Sequence, residues 1–162
     1  QRLPRLIGTE AALRLMTSGE HVYAPKAKEL GLVDEIVPTG GDLAAAAVNL
    51  CKRQMGRPLP AISTKPPPQP CDFAAWAKRM ALQRPGEPAA QAIIQCVQAA
   101  CAGPTFRDGV KEEIRLFGRL VTSPESRALR HIHFSEHARS KVEGLKAMPQ
   151  KITSVGIVGA GL

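Results

Sequence analysis

The sequence predicts a mainly α protein. Apolar residues recur at helical spacing in one segment after another. Gly and Pro punctuate those segments where helices stop and start, and strand-like runs are confined to 32–37 and the last dozen residues. In 9–19, TEAALRLMTSG sets Ala12, Leu13, Leu15 and Met16 on one helical side, and Gly19 ends the helix. APKAKELG is a short helix with Pro25 in its first turn and Gly31 as its stop. The LVDEIV that follows is expected to be extended. GDLAAAAVNLCKRQMG starts from Asp42 as N-cap and runs as a helix to Gly56.

RPLPAISTKPPPQP carries six prolines between 58 and 70. Proline fixes φ and removes a backbone donor, so 58–71 is expected to be an extended linker, partly polyproline II. A docking motif for an SH3-like partner is the alternative; a spacer between helical units is the simpler reading. Residues 72–148 read as helical. DFAAWAKRMALQ brings Phe73, Trp76, Ala77 and Met80 to one side, and EPAAQAIIQCVQAACAG closes at Gly103-Pro104. In FRDGVKEEIRLFGRLV, Val110, Ile114, Phe117 and Leu120 are expected to form the buried stripe. The last helix opens with Ser123 as N-cap and Pro124 at its first position.

At 162 residues, with 44% hydrophobic and 22% charged residues, the chain is long enough for one domain or parts of two. No stretch approaches the roughly 18 apolar residues of a membrane span, and no apolar signal-peptide core follows the N-terminus. The net charge of +8 suits an anionic partner. Its bases are scattered (Arg2, Arg5, Arg53, Arg57, Lys78, Arg79, Arg115 and Arg119 among them), and the 4% of aromatics do not interleave with them. That pattern argues against nucleic acid and for a phosphate-bearing ligand, or for a charge-biased piece of a neutral whole. Cys51, Cys71, Cys96 and Cys101 match neither zinc-ligand nor disulfide-scaffold spacing, and read as reduced core thiols. His133 and His137 share a helical face beside Glu136, with His131 nearby, but no further ligand stands at a supporting spacing, so a basic helix surface is the simpler reading than a metal site.

In KITSVGIVGAGL, Ile152, Val155, Ile157 and Val158 make a buried parallel-type strand, and Gly159 and Gly161 begin a tight glycine turn. In a dinucleotide-binding unit the first glycine permits the turn and the second lets the backbone approach the pyrophosphate. A lone Gly-x-Gly after a strand also fits a plain strand-turn in an α/β core.

The order of these pieces carries a resemblance. QRLPRLIG…AALRLMTSGEHVYAPKAKELGLVDEIVP resembles the closing part of an enoyl-CoA hydratase (crotonase-family) domain. TSPESRALRHIHFSEHARSK followed by VGIVGAG is similar to the junction into a 3-hydroxyacyl-CoA dehydrogenase domain. Together they resemble the multifunctional enzymes of fatty-acid β-oxidation, with the match weakest from about 58 to 105. The resemblance implies an internal piece of a larger enzyme that hydrates trans-2-enoyl-CoA and oxidises 3-hydroxyacyl-CoA with NAD, in bacterial cytoplasm or, alternatively, in peroxisomes. It divides the chain into the helical end of a hydratase domain (1–57), a Pro-rich linker (58–71), a helical region packing on the hydratase part (72–148) and the truncated first strand of a Rossmann domain (149–162).

The family's catalytic glutamates and oxyanion hole have no counterpart here; Glu10, Glu20 and Glu35 do not occupy matching positions. No catalytic residue is therefore expected in the chain, and Gly159 and Gly161 alone match a functional motif, the NAD loop. The resemblance also puts Phe134 on the acyl or pantetheine path and Lys141 near a CoA phosphate, with Arg139 as a substitute; a core Phe and a solvated Lys is the competing reading. A Rossmann strand without its sheet exposes an apolar edge, so 150–162 is expected to be disordered or to pair with another chain, a route to self-association. The rival reading, of a different class, is a stand-alone helical interaction module that docks an acidic partner through its Pro-rich stretch and basic helices.

Overall fold

The computed structural model describes residues 1–139 and 151–156, and eight α-helices lie among them. They are α1 (Arg2–Ile7), α2 (Thr9–Ser18), α3 (Ala24–Glu29), α4 (Leu43–Gln54), α5 (Phe73–Gln83), α6 (Pro88–Ala102), α7 (Phe106–Val121) and α8 (Pro124–Arg139), with a 3-10 turn at Ile62–Thr64. The mainly α expectation holds, and no strand occurs among the described residues. The 32–37 stretch lies in an irregular connection. None of the described helices is long and apolar enough to cross a membrane.

The helix boundaries follow from local chemistry. Gly8 joins α1 to α2 at φ 84°, a left-handed conformation that glycine adopts without a Cβ penalty. Asp42 and Asp72 cap α4 and α5 by accepting from the Ala45 and Ala75 amides, each at 2.9 Å. Ser123 caps α8 in the same way, its Oγ accepting from the Ser126 amide at 3.1 Å.

Helix α6 is the central element, packed on by α1, α2, α5 and α7. Its Ala90, Ile94 and Val97 meet Leu13 of α2 and Trp76 and Met80 of α5 in one buried cluster. Leu13 is wholly buried, and Trp76 is 6% exposed with the Arg79 guanidinium 4.4 Å above its ring. The core therefore draws on both sides of the Pro-rich segment. Between Glu20 and Cys71, only Ala27 is buried, and α4 buries nothing.

A second, polar layer sits beside this core. Gln1, Arg5 and Thr9 follow one another at intervals of four and are all buried. Arg5 donates to the Lys65 carbonyl at 2.8 Å and reaches the Ala100 carbonyl at 3.5 Å, with its guanidinium 5.3 Å from the Phe106 ring centre. The Thr9 hydroxyl donates to the Gln69 carbonyl. The Gln1 amide donates to the Cys96 carbonyl at 2.8 Å, and its carbonyl oxygen lies where a Cβ on Gly109 would stand.

One expectation fails on α7. The predicted stripe of Val110, Ile114, Phe117 and Leu120 is not the buried one: α7 buries Gly109 and Leu116, while Ile114 and Phe117 are 65% and 66% exposed. Successive residues of a helix lie about 100° apart, and α7 turns inward the side that holds Leu116 and the side-chain-free Gly109, the latter against Gln1. The close approach of Gln1 selects that row.

Leu13→Ala is expected to cost about 3 kcal/mol, since the pocket it leaves is closed on all sides. Arg5→Ala is expected to cost about 1–3 kcal/mol by stranding carbonyls, and Leu43→Ala on α4 to stay within about 0.5 kcal/mol. Urea unfolding followed by the fluorescence of Trp76 ranks the three; equal losses would sink the assignment of the core.

Candidate functional site

Helix α8 carries the sequence's candidate substrate residue and rests on α7. It buries nothing of its own, because its apolar residues are scattered around the helix rather than gathered on one side. Phe134 is 66% exposed and meets the His133 ring edge-on at 5.5 Å between centroids. Lys141, its proposed phosphate-binding companion, lies outside the described residues, as do Gly159 and Gly161 of the NAD loop. Of the strand expected before that loop, 151–156 is described: it is irregular, with Ile152 and Val155 exposed. Ile157 and Val158 lie outside.

The two histidines on α8 do come together. Their ring centroids lie 4.2 Å apart, and His137 Nδ1 donates to the His133 carbonyl at 2.9 Å. That bond fixes His137 as an Nδ1–H donor toward its own helix. Among the described residues no three His, Cys, Asp or Glu side chains converge in a geometry that could hold a metal ion.

Two of the clefts on the helical body bear on the candidate site. A groove of about 650 Å³ runs between α7, α8 and the start of α6, lined by Met16, Ile93, Phe117, Leu120 and Leu129. At its rim Arg130 donates to the Val121 carbonyl at 2.9 Å and to Ser126 Oγ at 2.7 Å, while Arg84 pairs with Glu87 at 3.1 Å. A second cleft of about 920 Å³ lies between α2, α3 and the end of the Pro-rich segment, and mixes Glu10, Arg14, Glu20, His21 and Lys26. Its charges balance, so it has no net preference for an anion.

The cysteines divide by burial. Cys51 is exposed, whereas Cys71, Cys96 and Cys101 are half-buried. Burial raises the Cys71 and Cys96 thiols above their ordinary range, and the nearby carboxylates of Glu10 and Glu113 add to it. Such thiols stay protonated at neutral pH and are poor nucleophiles. The expectation of core thiols fails at Cys51, which is exposed, and is met only as partial burial at Cys71, Cys96 and Cys101.

No protein-family model matches the chain.

Arg5 and the exposed row of α7 were the features hardest to find from sequence. Arg5 is one of the scattered bases of the sequence, and the structure sets it in a buried polar row with Gln1 and Thr9. The ion pairs of α7 and the cap of α8 do set a pH dependence. Asp108 is held below the ordinary carboxylate value by the Thr105 hydroxyl and Lys111, Glu112 by Arg115, and Glu125 by its own backbone amide and the Ser123 hydroxyl. A carboxylate whose pKa falls on folding stabilises the helix above its unfolded pKa and loses that contribution as pH drops through its folded value. Helical circular dichroism is therefore expected to hold at neutral pH and to decline below about pH 4. Asp108→Asn with Glu112→Gln should flatten that decline; an unchanged acid limb in the double variant would refute the assignment.

Proposed function

We propose that this chain belongs to a bifunctional β-oxidation enzyme, in which it joins an enoyl-CoA hydratase part to an NAD-dependent 3-hydroxyacyl-CoA dehydrogenase part. The reading rests on one observation: the hydratase-like QRLPRLIG…LGLVDEIVP, a helical stretch ending in HFSEHARSK, and VGIVGAG occur in that order. The mainly α body and the unburied apolar residues of α4, Leu43 and Val48, suit a segment that packs against further protein.

In this reading the chain supplies no catalytic group. The parent enzyme adds water across trans-2-enoyl-CoA at one site and passes the 3-hydroxyacyl-CoA to a second, where NAD, when bound, accepts the hydride. Gly159 and Gly161 hold the pyrophosphate loop of that second site, and Phe134 and Lys141 border the acyl-CoA path of the first. Residues 58–139 act as a spacer that keeps the two sites on one body, which shortens the distance the intermediate must travel.

The test uses the enzyme that contains this segment. Both reactions are expected from one polypeptide, hydration followed by loss of the enoyl-thioester absorbance and oxidation by NADH formation. Gly161→Ala is expected to raise the KM for NAD at least about tenfold, because a Cβ blocks the approach of the backbone to the pyrophosphate. Hydration should be unchanged. Absence of both activities, or equal damage to both by Gly161→Ala, would overturn the reading.

A further inference from the structure

Helix α7 presents three rows along its length. One faces α6 through Gly109 and Leu116. The second, Ile114, Phe117 and Val121, is apolar and exposed, and it continues across the groove onto Leu129 of α8. The third is basic, with Arg107, Lys111, Arg115 and Arg119 repeating at intervals of four, so that all four stand along one edge.

A lone exposed apolar side chain needs no explanation; an apolar row beside a charged row is what a partner helix covers. The charges show which kind of partner. Lys111 pairs with Asp108 at 2.9 Å and Arg115 with Glu112 at 2.6 Å. Among the described residues, Arg107 and Arg119, at the two ends of the row, have no carboxylate within ion-pair distance. Across the groove Arg130 is held by a carbonyl and a hydroxyl, without a carboxylate. The rim also carries Arg84, which Glu87 neutralises, and one carboxylate without a cation, Glu125; set against Arg107, Arg119 and Arg130, the balance of unpaired charge beside the apolar row is positive.

Gly118 is an independent sign. It lies in mid-helix between the apolar and basic rows, where glycine weakens a helix relative to alanine. Among the described residues a Cβ there would meet nothing within 4 Å, so none of them requires its absence. A backbone passing close over that point would require it.

We propose that the exposed face of α7, with the adjoining groove under α8, is a docking site for an amphipathic helix of a partner protein whose apolar row is flanked by Asp and Glu. The partner's apolar row covers Ile114, Phe117 and Val121, its backbone crosses Gly118, and its carboxylates meet Arg107 and Arg119. A second copy of this chain is a poor occupant, because each copy brings a net charge of +8. The site stands apart from the β-oxidation reading and does not depend on it.

The probe is a fluorescein-labelled synthetic helix of about 18 residues, roughly 27 Å long, with Leu at helical spacing and Glu on both flanks. Its control carries Lys in place of every Glu. Titrated with the 162-residue chain, the Glu peptide is expected to bind saturably and at least about tenfold tighter than the Lys peptide, with affinity falling as salt rises. Arg107→Glu with Arg119→Glu, Phe117→Ser, and Gly118→Leu should each weaken it about tenfold or more. These side chains are exposed, and unchanged far-UV circular dichroism confirms that the variants fold. No saturable binding, equal binding of both peptides, or variants that bind like the parent overturns the proposal. So does sedimentation with phosphatidylserine vesicles that the Glu peptide does not compete away, which would make the face a membrane surface. Self-association abolished by Phe117→Ser would assign the face to a second copy and overturn it as well.

Discussion

The structure depends on how a proline-rich segment can be held against a helical body. Prolines 66, 67, 68 and 70 contribute carbonyls but no N–H groups, so the segment cannot build its own ladder or helix. Its acceptors are met by side chains of the first two helices: Arg5 on Lys65 and Thr9 on Gln69. Arg5 also reaches Ala100 near the end of α6, where the unpaired carbonyls and the negative pole of the helix favour a cation. One guanidinium thus answers two needs, and it stacks near Phe106 at the start of α7. With α1 and α2 fixed in this way, Leu13 is delivered into the cluster of α5 and α6.

Much of the helical layout was legible in the sequence because its signals are local. Gly19 ends α2 in a left-handed conformation, the Asp42 and Ser123 side chains accept from first-turn amides as caps, and Pro124 opens α8. The apolar row of Trp76 and Met80 is buried as its spacing requires. What was not legible is set by contacts distant in sequence. Helix α7 has more than one row at helical spacing, and periodicity cannot choose between them. The choice is made by Gln1, more than a hundred residues away, whose side chain fits against a glycine. Arg5 was missed for a related reason, since its burial follows from acceptors on the Pro-rich segment and on α6.

The candidate site divides the same way. The chemistry that the sequence suggested belongs to Gly159, Gly161 and Lys141, outside the described residues, and to Phe134, which stands on an exposed helix. Functional meaning there comes from the order of motifs rather than from assembled geometry. The described surface speaks instead of recognition. An apolar row, a basic row and an unexplained glycine on α7 all lie on one side of the helix, and none of them is needed to hold α7 in place. The failed expectation about α7 and the proposed docking surface share two residues: Ile114 and Phe117, predicted to be core, stand exposed, while Val110 and Leu120 of the same stripe are half-buried.

The sparse burial between Glu20 and Cys71 has a consequence for how the chain could vary. The two parts of the core are joined by a stretch that contributes Ala27 and little else. Closing such a stretch costs entropy that grows only with the logarithm of its length, about 0.6 kcal/mol per doubling. Insertions or deletions across 31–57, before the Pro-rich segment that Arg5 and Thr9 hold, should therefore accumulate with little effect on the body, and a peptide bond cut within α4 should leave two pieces that stay together. The helical body behaves as a split domain whose halves recognise each other through Leu13, Arg5 and Thr9, with the intervening chain serving as a tether.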